Sequence, residues 1–172
     1  MVAPGIIWVA VSFAGTLGLN RAFVIEQDKG SLAGLLLAPV DRATIYFGKM
    51  LGNLLFMLVV EAFLLPLVMV FFNLPLLTGP HLLVLFLGTF GFAAVGTIFA
   101  GIAVNTRARE VLLPILLFPV LVPVLVAGVK MTGGLLDGET LADLADWLRL
   151  VVIFDLVFAL VAYLTFEYVV EE

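Results

Sequence analysis

The chain has 172 residues, of which 64% are hydrophobic and 12% charged, with a formal net charge of −5 and no cysteine. A charged fraction about half that of soluble domains, with a mean hydropathy of +1.28, excludes a water-soluble globular protein. The acidic balance offers no basic surface to nucleic acid, and the lack of cysteine removes disulfides and thiolate metal sites from consideration.

Taken in chain order, the sequence predicts an all-α, polytopic membrane protein with about five transmembrane helices, forming one permease-like domain over residues 1–172. A helical span needs about 20 apolar residues. The first expected span runs from Val2 to Leu19 and begins directly at the start of the chain. The polar segment that follows reads "IEQDKGSLAGLLLAPVDR" over residues 25–42. Asp28 is placed to cap a short helix, Leu32, Leu35 and Leu36 fall on one helical face, and Pro39 stops it. Asp41 is then placed to cap the second span, from Phe47 to Phe72. The expectation is a short amphipathic helix near the membrane surface. It serves either as an interfacial tie between two spans or as a docking element for a soluble partner.

In the second span, Asn53, Met57 and Glu61 recur at i, i+4 and i+8, a polar stripe on one face, and Pro66 is expected to kink the helix farther along. An ionisable group at the depth of Glu61 costs at least about 2.5 kcal/mol to insert, so it is expected to face protein or water. Gly48 with Gly52, and Ala93, Thr97 and Gly101 in the third span (Leu82 to Val104), form small-residue rows of the kind that let helices approach. The one histidine, His81, stands at the mouth of that third span. Arg107 and Arg109, beside Glu110, occupy the short turn before the fourth span, which runs from Val111 to Val129. With Pro114, Pro119 and Pro123 that span is expected to be kinked or broken. An acidic loop with Asp137, Glu139, Asp143 and Asp146 leads into the fifth span, from Leu148 to Tyr168. Asp155 is placed near its outer end, at the interface.

Charge sets the orientation. Arg21, Lys29, Arg42, Lys49, Arg107 and Arg109 fall on one side, and only Lys130 and Arg149 on the other, which puts residues 20–49 in the cytoplasm. Met1 then lies outside, so the sequence reads as one that lacks a helix ahead of the first span. No serine–histidine, metal-ligand or paired-carboxylate spacing appears, which leaves an intramembrane enzyme without its second catalytic group. There is no phosphate-cradling motif either: the "GK" at Gly48–Lys49 lacks the upstream glycine and the following Ser or Thr.

Three stretches carry a resemblance. "PGIIWVAVSFAGTLGLNRAF" (4–23), the polar segment through "GKMLGNLLFMLVVE" (48–61) and "RAREVLLPILLFPVLVPVLVAG" (107–128) together resemble the CcmB-type permease of cytochrome c maturation, within the ABC-2 permease superfamily. Members of that family usually have six spans. The resemblance implies a non-enzymatic membrane subunit of the bacterial inner membrane, driven by a separate ATPase subunit (CcmA-type) docked on Glu26, Asp28, Gly30, Ser31, Leu32, Leu35, Leu36 and Pro39. Arg107 and Arg109, on the residues alone, either anchor the cytoplasmic turn at the inner membrane surface or make a second contact to that ATPase. It also implies a heme-handling membrane partner (CcmC-type), a heme chaperone (CcmE-type), heme as cargo rather than tightly bound cofactor, and a homodimer by analogy. On the residues alone, His81 is either an interfacial polar residue or, if heme binds here, an axial ligand to it. A generic ABC-2 exporter of lipid, polysaccharide or drug, and a purely structural assembly subunit, remain as alternatives on the residues alone.

Overall fold

The computed structural model describes residues 2–28, 42–103, 106 and 108–169, with the backbone alone for 22–28, 42, 43, 109, 110 and 166–169. Among the described residues it is all helical. The helices are α1 (Ala3–Asp28), α2 (Arg42–Phe72), α3 (Gly79–Ala103), α4 (Arg109–Leu136) and α5 (Ala145–Val169). All five are long and apolar enough to cross a membrane, as expected of a chain whose backbone polar groups must be satisfied inside each segment.

Helix α3 is the hub. It contacts each of the other four, which surround it in the order α1, α2, α5, α4, every one touching the next. Small residues explain its position. Gly88, Thr89, Gly91, Ala93, Ala94, Gly96, Thr97, Ala100 and Gly101 are all buried. A helix with so little side-chain bulk can be approached closely from several sides, which is how helices associate where lipid offers no hydrophobic contrast. The tightest example involves Trp8 of α1. Its ring lies directly over the Cα positions of both Gly88 and Gly128, and its indole N–H donates to Thr132 Oγ1 at 3.1 Å. One side chain thus ties α1 to α3 and α4.

Two helices end in the same backbone device. Asn73, with φ 51°, follows α2, and the Leu74 N–H reaches the Met69 carbonyl at 3.4 Å. Gly138, with φ 94°, follows α4; its N–H reaches Leu135 O at 3.3 Å and the Glu139 N–H reaches Gly134 O at 2.9 Å. These are Schellman caps, which need a left-handed residue just past the helix and use Asn or Gly there. In the loop that follows, Asp143 Oδ2 accepts from both the Thr140 N–H (2.9 Å) and the Thr140 hydroxyl (2.7 Å). Those two bonds hold the Asp143 carboxyl below its ordinary pKa.

Four expectations change. Helix α1 runs through to Asp28, past the expected end at Leu19, so Asp28 is a helical residue and not the cap of a new helix. Of the two forms expected for the fourth span, the break is absent: α4 is one continuous helix through Pro114, Pro119 and Pro123. Pro119 and Pro123 lie one turn apart on its exposed face, while Leu113, Leu117, Leu121 and Val124 on the opposite face are packed and hold the helix together. Gly48 and Gly52 face outward, with nothing within 4 Å of where a Cβ would stand, so this pair makes no helix contact. Asp155 is not at an interface: it lies ten residues into α5 and is buried.

Candidate functional site: a buried polar ladder on the central helix

The face of α2 read from the sequence as a polar stripe is turned inward: Asn53, Met57 and Glu61 are all buried. Each polar member meets a threonine of α3. Asn53 Nδ2 donates to Thr97 Oγ1 at 3.1 Å, and the Thr89 hydroxyl donates to Glu61 Oε1. The two pairs are eight residues apart on both helices, about 12 Å along the axis, in antiparallel register with Met57 between them. The lower rung is directional. Thr97 accepts from Asn53 and passes its own hydroxyl proton to the Ala93 carbonyl at 2.7 Å. Near the start of α2, the Tyr46 hydroxyl donates to the Ala94 carbonyl at 2.9 Å, so a third side chain of this helix bonds α3.

The second carboxyl comes from α5. Asp155 lies against Gly91, where a Cβ would collide with Oδ1. Both carboxyl oxygens are buried without a hydrogen-bond partner among the described residues. Gly91 is the midpoint of α3, and Thr89 is two residues away, about 200° around the helix and about 3 Å along it. Glu61 and Asp155 therefore approach the centre of α3 from nearly opposite sides and at nearly the same depth. Two acidic groups at mid-span, each introduced against a small residue of the hub, are costly features, and polar groups retained at such depth mark functional positions. What the arrangement can do chemically is hold α2 to α3 through the Asn53–Thr97 and Glu61–Thr89 hydrogen bonds, while the Asp155 carboxyl of α5, unpartnered among the described residues, is set against Gly91.

His81 is buried at the start of α3. Its Nδ1 is bonded to Thr78 Oγ1 at 2.7 Å and its Nε2 is without a partner among the described residues. It lies ten residues before Gly91, about 15 Å up the helix and apart from the ladder. Among the described residues no cluster of His, Asp or Glu could hold a metal ion. Gly30, Ser31, Leu32, Leu35, Leu36 and Pro39, and Arg107, lie outside the described residues. Glu26 and Asp28 belong to the last turns of α1, and Arg109 opens α4. Sequence reasoning missed Thr89 and Gly91. The signal for Thr89 was present, because Thr89 and Thr97 repeat on α3 the spacing of Asn53 and Glu61 on α2.

The chain was then compared with known proteins. A family profile described as "CcmB protein" matches residues 1–171. Heme exporter protein B of Pseudomonas aeruginosa is 30% identical over 148 residues, covering 86% of this chain and 66% of that protein. The Rhodobacter capsulatus protein of the same name is 31% identical over 131 residues (76% and 60%), and that of Paracoccus denitrificans 32% over 130 residues (75% and 60%). The aligned stretch spans about two thirds or less of the length of these relatives.

Proposed function

The chain belongs to the CcmB family, and from that premise we propose that it is the transmembrane permease subunit of an ABC-type complex serving heme export for c-type cytochrome maturation in the bacterial cytoplasmic membrane. The observation that carries the reading is the family match running over residues 1–171, not over one motif alone. It is supported by relatives named heme exporter protein B and by five helices able to span a membrane. In this reading the chain carries no catalysis of its own, and a separate ATPase subunit supplies the work.

The ATPase docks on the cytoplasmic side, where the positive charges of residues 20–49 and 107–109 collect. Glu26, Asp28, Gly30, Ser31, Leu32, Leu35, Leu36 and Pro39 form the contact, with Arg107 and Arg109 beside it. Movement of that segment is passed to α1 and α2, which it joins. Since α2 is bonded to α3 through Asn53–Thr97 and Glu61–Thr89, displacing α2 requires those bonds to break or change partners. The ladder is thus the place where motion from the cytoplasm meets the hub. The partners are a heme-handling membrane subunit and a heme chaperone, with heme as cargo.

The test is a heme stain of membrane c-type cytochromes from a strain lacking the gene. All c-type bands should disappear and return when the gene is supplied in trans. Normal bands in the deletion strain would discard the heme reading and leave a generic ABC-2 exporter.

A further inference from the structure

Between the first half of α1 and the middle of α4 runs a groove of about 470 Å³, lined by Gly5, Trp8, Val9 and Phe13 on one side and Phe118 and Val126 on the other, with Lys130 at its mouth. The two helices are antiparallel here, Pro4 lying beside Gly133. Along α4 the groove extends from Lys130 to Phe118, twelve residues or about 18 Å. One leaflet of bilayer hydrocarbon is about 15 Å deep. The cleft is therefore about as long as one leaflet is deep, the reach of one acyl chain.

Chemistry along the groove agrees. Its polar floor atoms are already satisfied: the Trp8 indole donates to Thr132, and the Ser12 hydroxyl donates to the Trp8 carbonyl at 2.7 Å. What remains is hydrocarbon. At the mouth the charges come in a fixed order. Lys130 is exposed, and one turn farther out Gly134 occupies the same face of α4. There the Schellman cap returns the chain so that Glu139 Oε2 stands 2.7 Å from the position of a Gly134 Cβ. Moving outward from the hydrocarbon, a bound headgroup meets a cation and then an anion.

We propose that this groove is a binding site for one phospholipid carrying an amine headgroup, with an acyl chain between α1 and α4, its phosphate on Lys130 and its ammonium toward Glu139. The sign order discriminates: a phosphate followed by an ammonium complements Lys130 then Glu139, whereas a phosphate followed by a neutral glycerol meets only the first. The site lies in the leaflet that holds the α4–α5 loop, and it stands independently of the permease's cargo.

The test is native mass spectrometry of the full 172-residue chain, washed in detergent containing equal amounts of phosphatidylethanolamine and phosphatidylglycerol. One phosphatidylethanolamine should be retained, in about fivefold preference over phosphatidylglycerol, the ratio that one exposed charge contact supplies. Lys130→Gln should lower retention of both lipids and Lys130→Arg should restore it. Glu139→Gln should erase the preference without lowering total retention, and Val126→Trp should empty the groove. Retention indifferent to Lys130→Gln and Val126→Trp would overturn the site, and a parent chain without headgroup preference would overturn the lipid assigned to it. Absence of the lipid from the complex isolated directly from membranes would mean that a partner covers the groove, and would overturn the proposal too.

Discussion

Gly88→Ala is the sharpest test of how this bundle is held together. The new methyl group would penetrate Trp8, lying 2.6 Å from Cζ3 and closer still to Cη2. The ring has no room to retreat, because Gly128 of α4 lies against its other edge and Thr132 holds its N–H at 3.1 Å. Forcing one methyl into a packed core costs about 1–3 kcal/mol, and breaking the Trp8–Thr132 bond adds about 0.6 kcal/mol, the average for such bonds between membrane helices. Gly52→Ala is the matched control: it lies in a helix of the same hub assembly, but nothing stands within 4 Å of its Cβ position. Both substitutions gain the same helix propensity, about 1 kcal/mol, so that contribution cancels. Gly88→Ala should therefore be less stable than Gly52→Ala by about 2–4 kcal/mol. Of the two tryptophans, Trp147 can be replaced by phenylalanine, leaving Trp8 as the fluorescent reporter of reversible unfolding in mixed micelles. A difference within about 0.5 kcal/mol, the range of ordinary surface substitutions, would refute the wedge.

Three further outcomes are expected. Thr89→Val removes the donor to Glu61, and a double-mutant cycle with Glu61→Gln should return a coupling of about 0.6–1.7 kcal/mol; zero coupling would remove that rung from the ladder. Leu35→Asp should abolish copurification of the proposed ATPase subunit while leaving membrane insertion intact, and unchanged copurification would move the proposed docking contact elsewhere. The Asp143 carboxyl is held below its ordinary pKa by Thr140, so its contribution to the α4–α5 loop is present at neutral pH and is lost as pH falls through the depressed value. Protection of the Thr140 amide, its exchange rate relative to the unstructured chain at the same pH, should fall in acid below about pH 4, and Asp143→Asn should flatten that dependence. A loop equally acid-sensitive with asparagine at this position would show that another group controls it.

Much of this protein is legible residue by residue. Where the spans lie follows from the transfer of each side chain into hydrocarbon, a property of the residue itself, and each of the five helices starts or ends within three residues of an expected bound. The inward face of α2 is likewise local, since Asn53 and Glu61 can avoid lipid only by turning together toward protein. The rest required partners distant in the chain. In lipid, Leu and Val are as comfortable outside as inside, so apolar periodicity does not say which face of a helix meets a neighbour. That is why Gly48 and Gly52 face outward while Gly88, Gly91 and Gly128 receive side chains, although all are glycines in apolar helices. It is also why Asp155, read from the sequence as interfacial, is found at mid-span against Gly91 at the centre of α3. The sequence by itself determined the helices, their number among the described residues and the polar stripe of α2. Only the tertiary structure decided that α3 is the hub, that Thr89 and Thr97 complete the ladder and that Trp8 locks three helices. Those are close-packing and hydrogen-bond choices between helices, and in a membrane such contacts alone distinguish one arrangement from another.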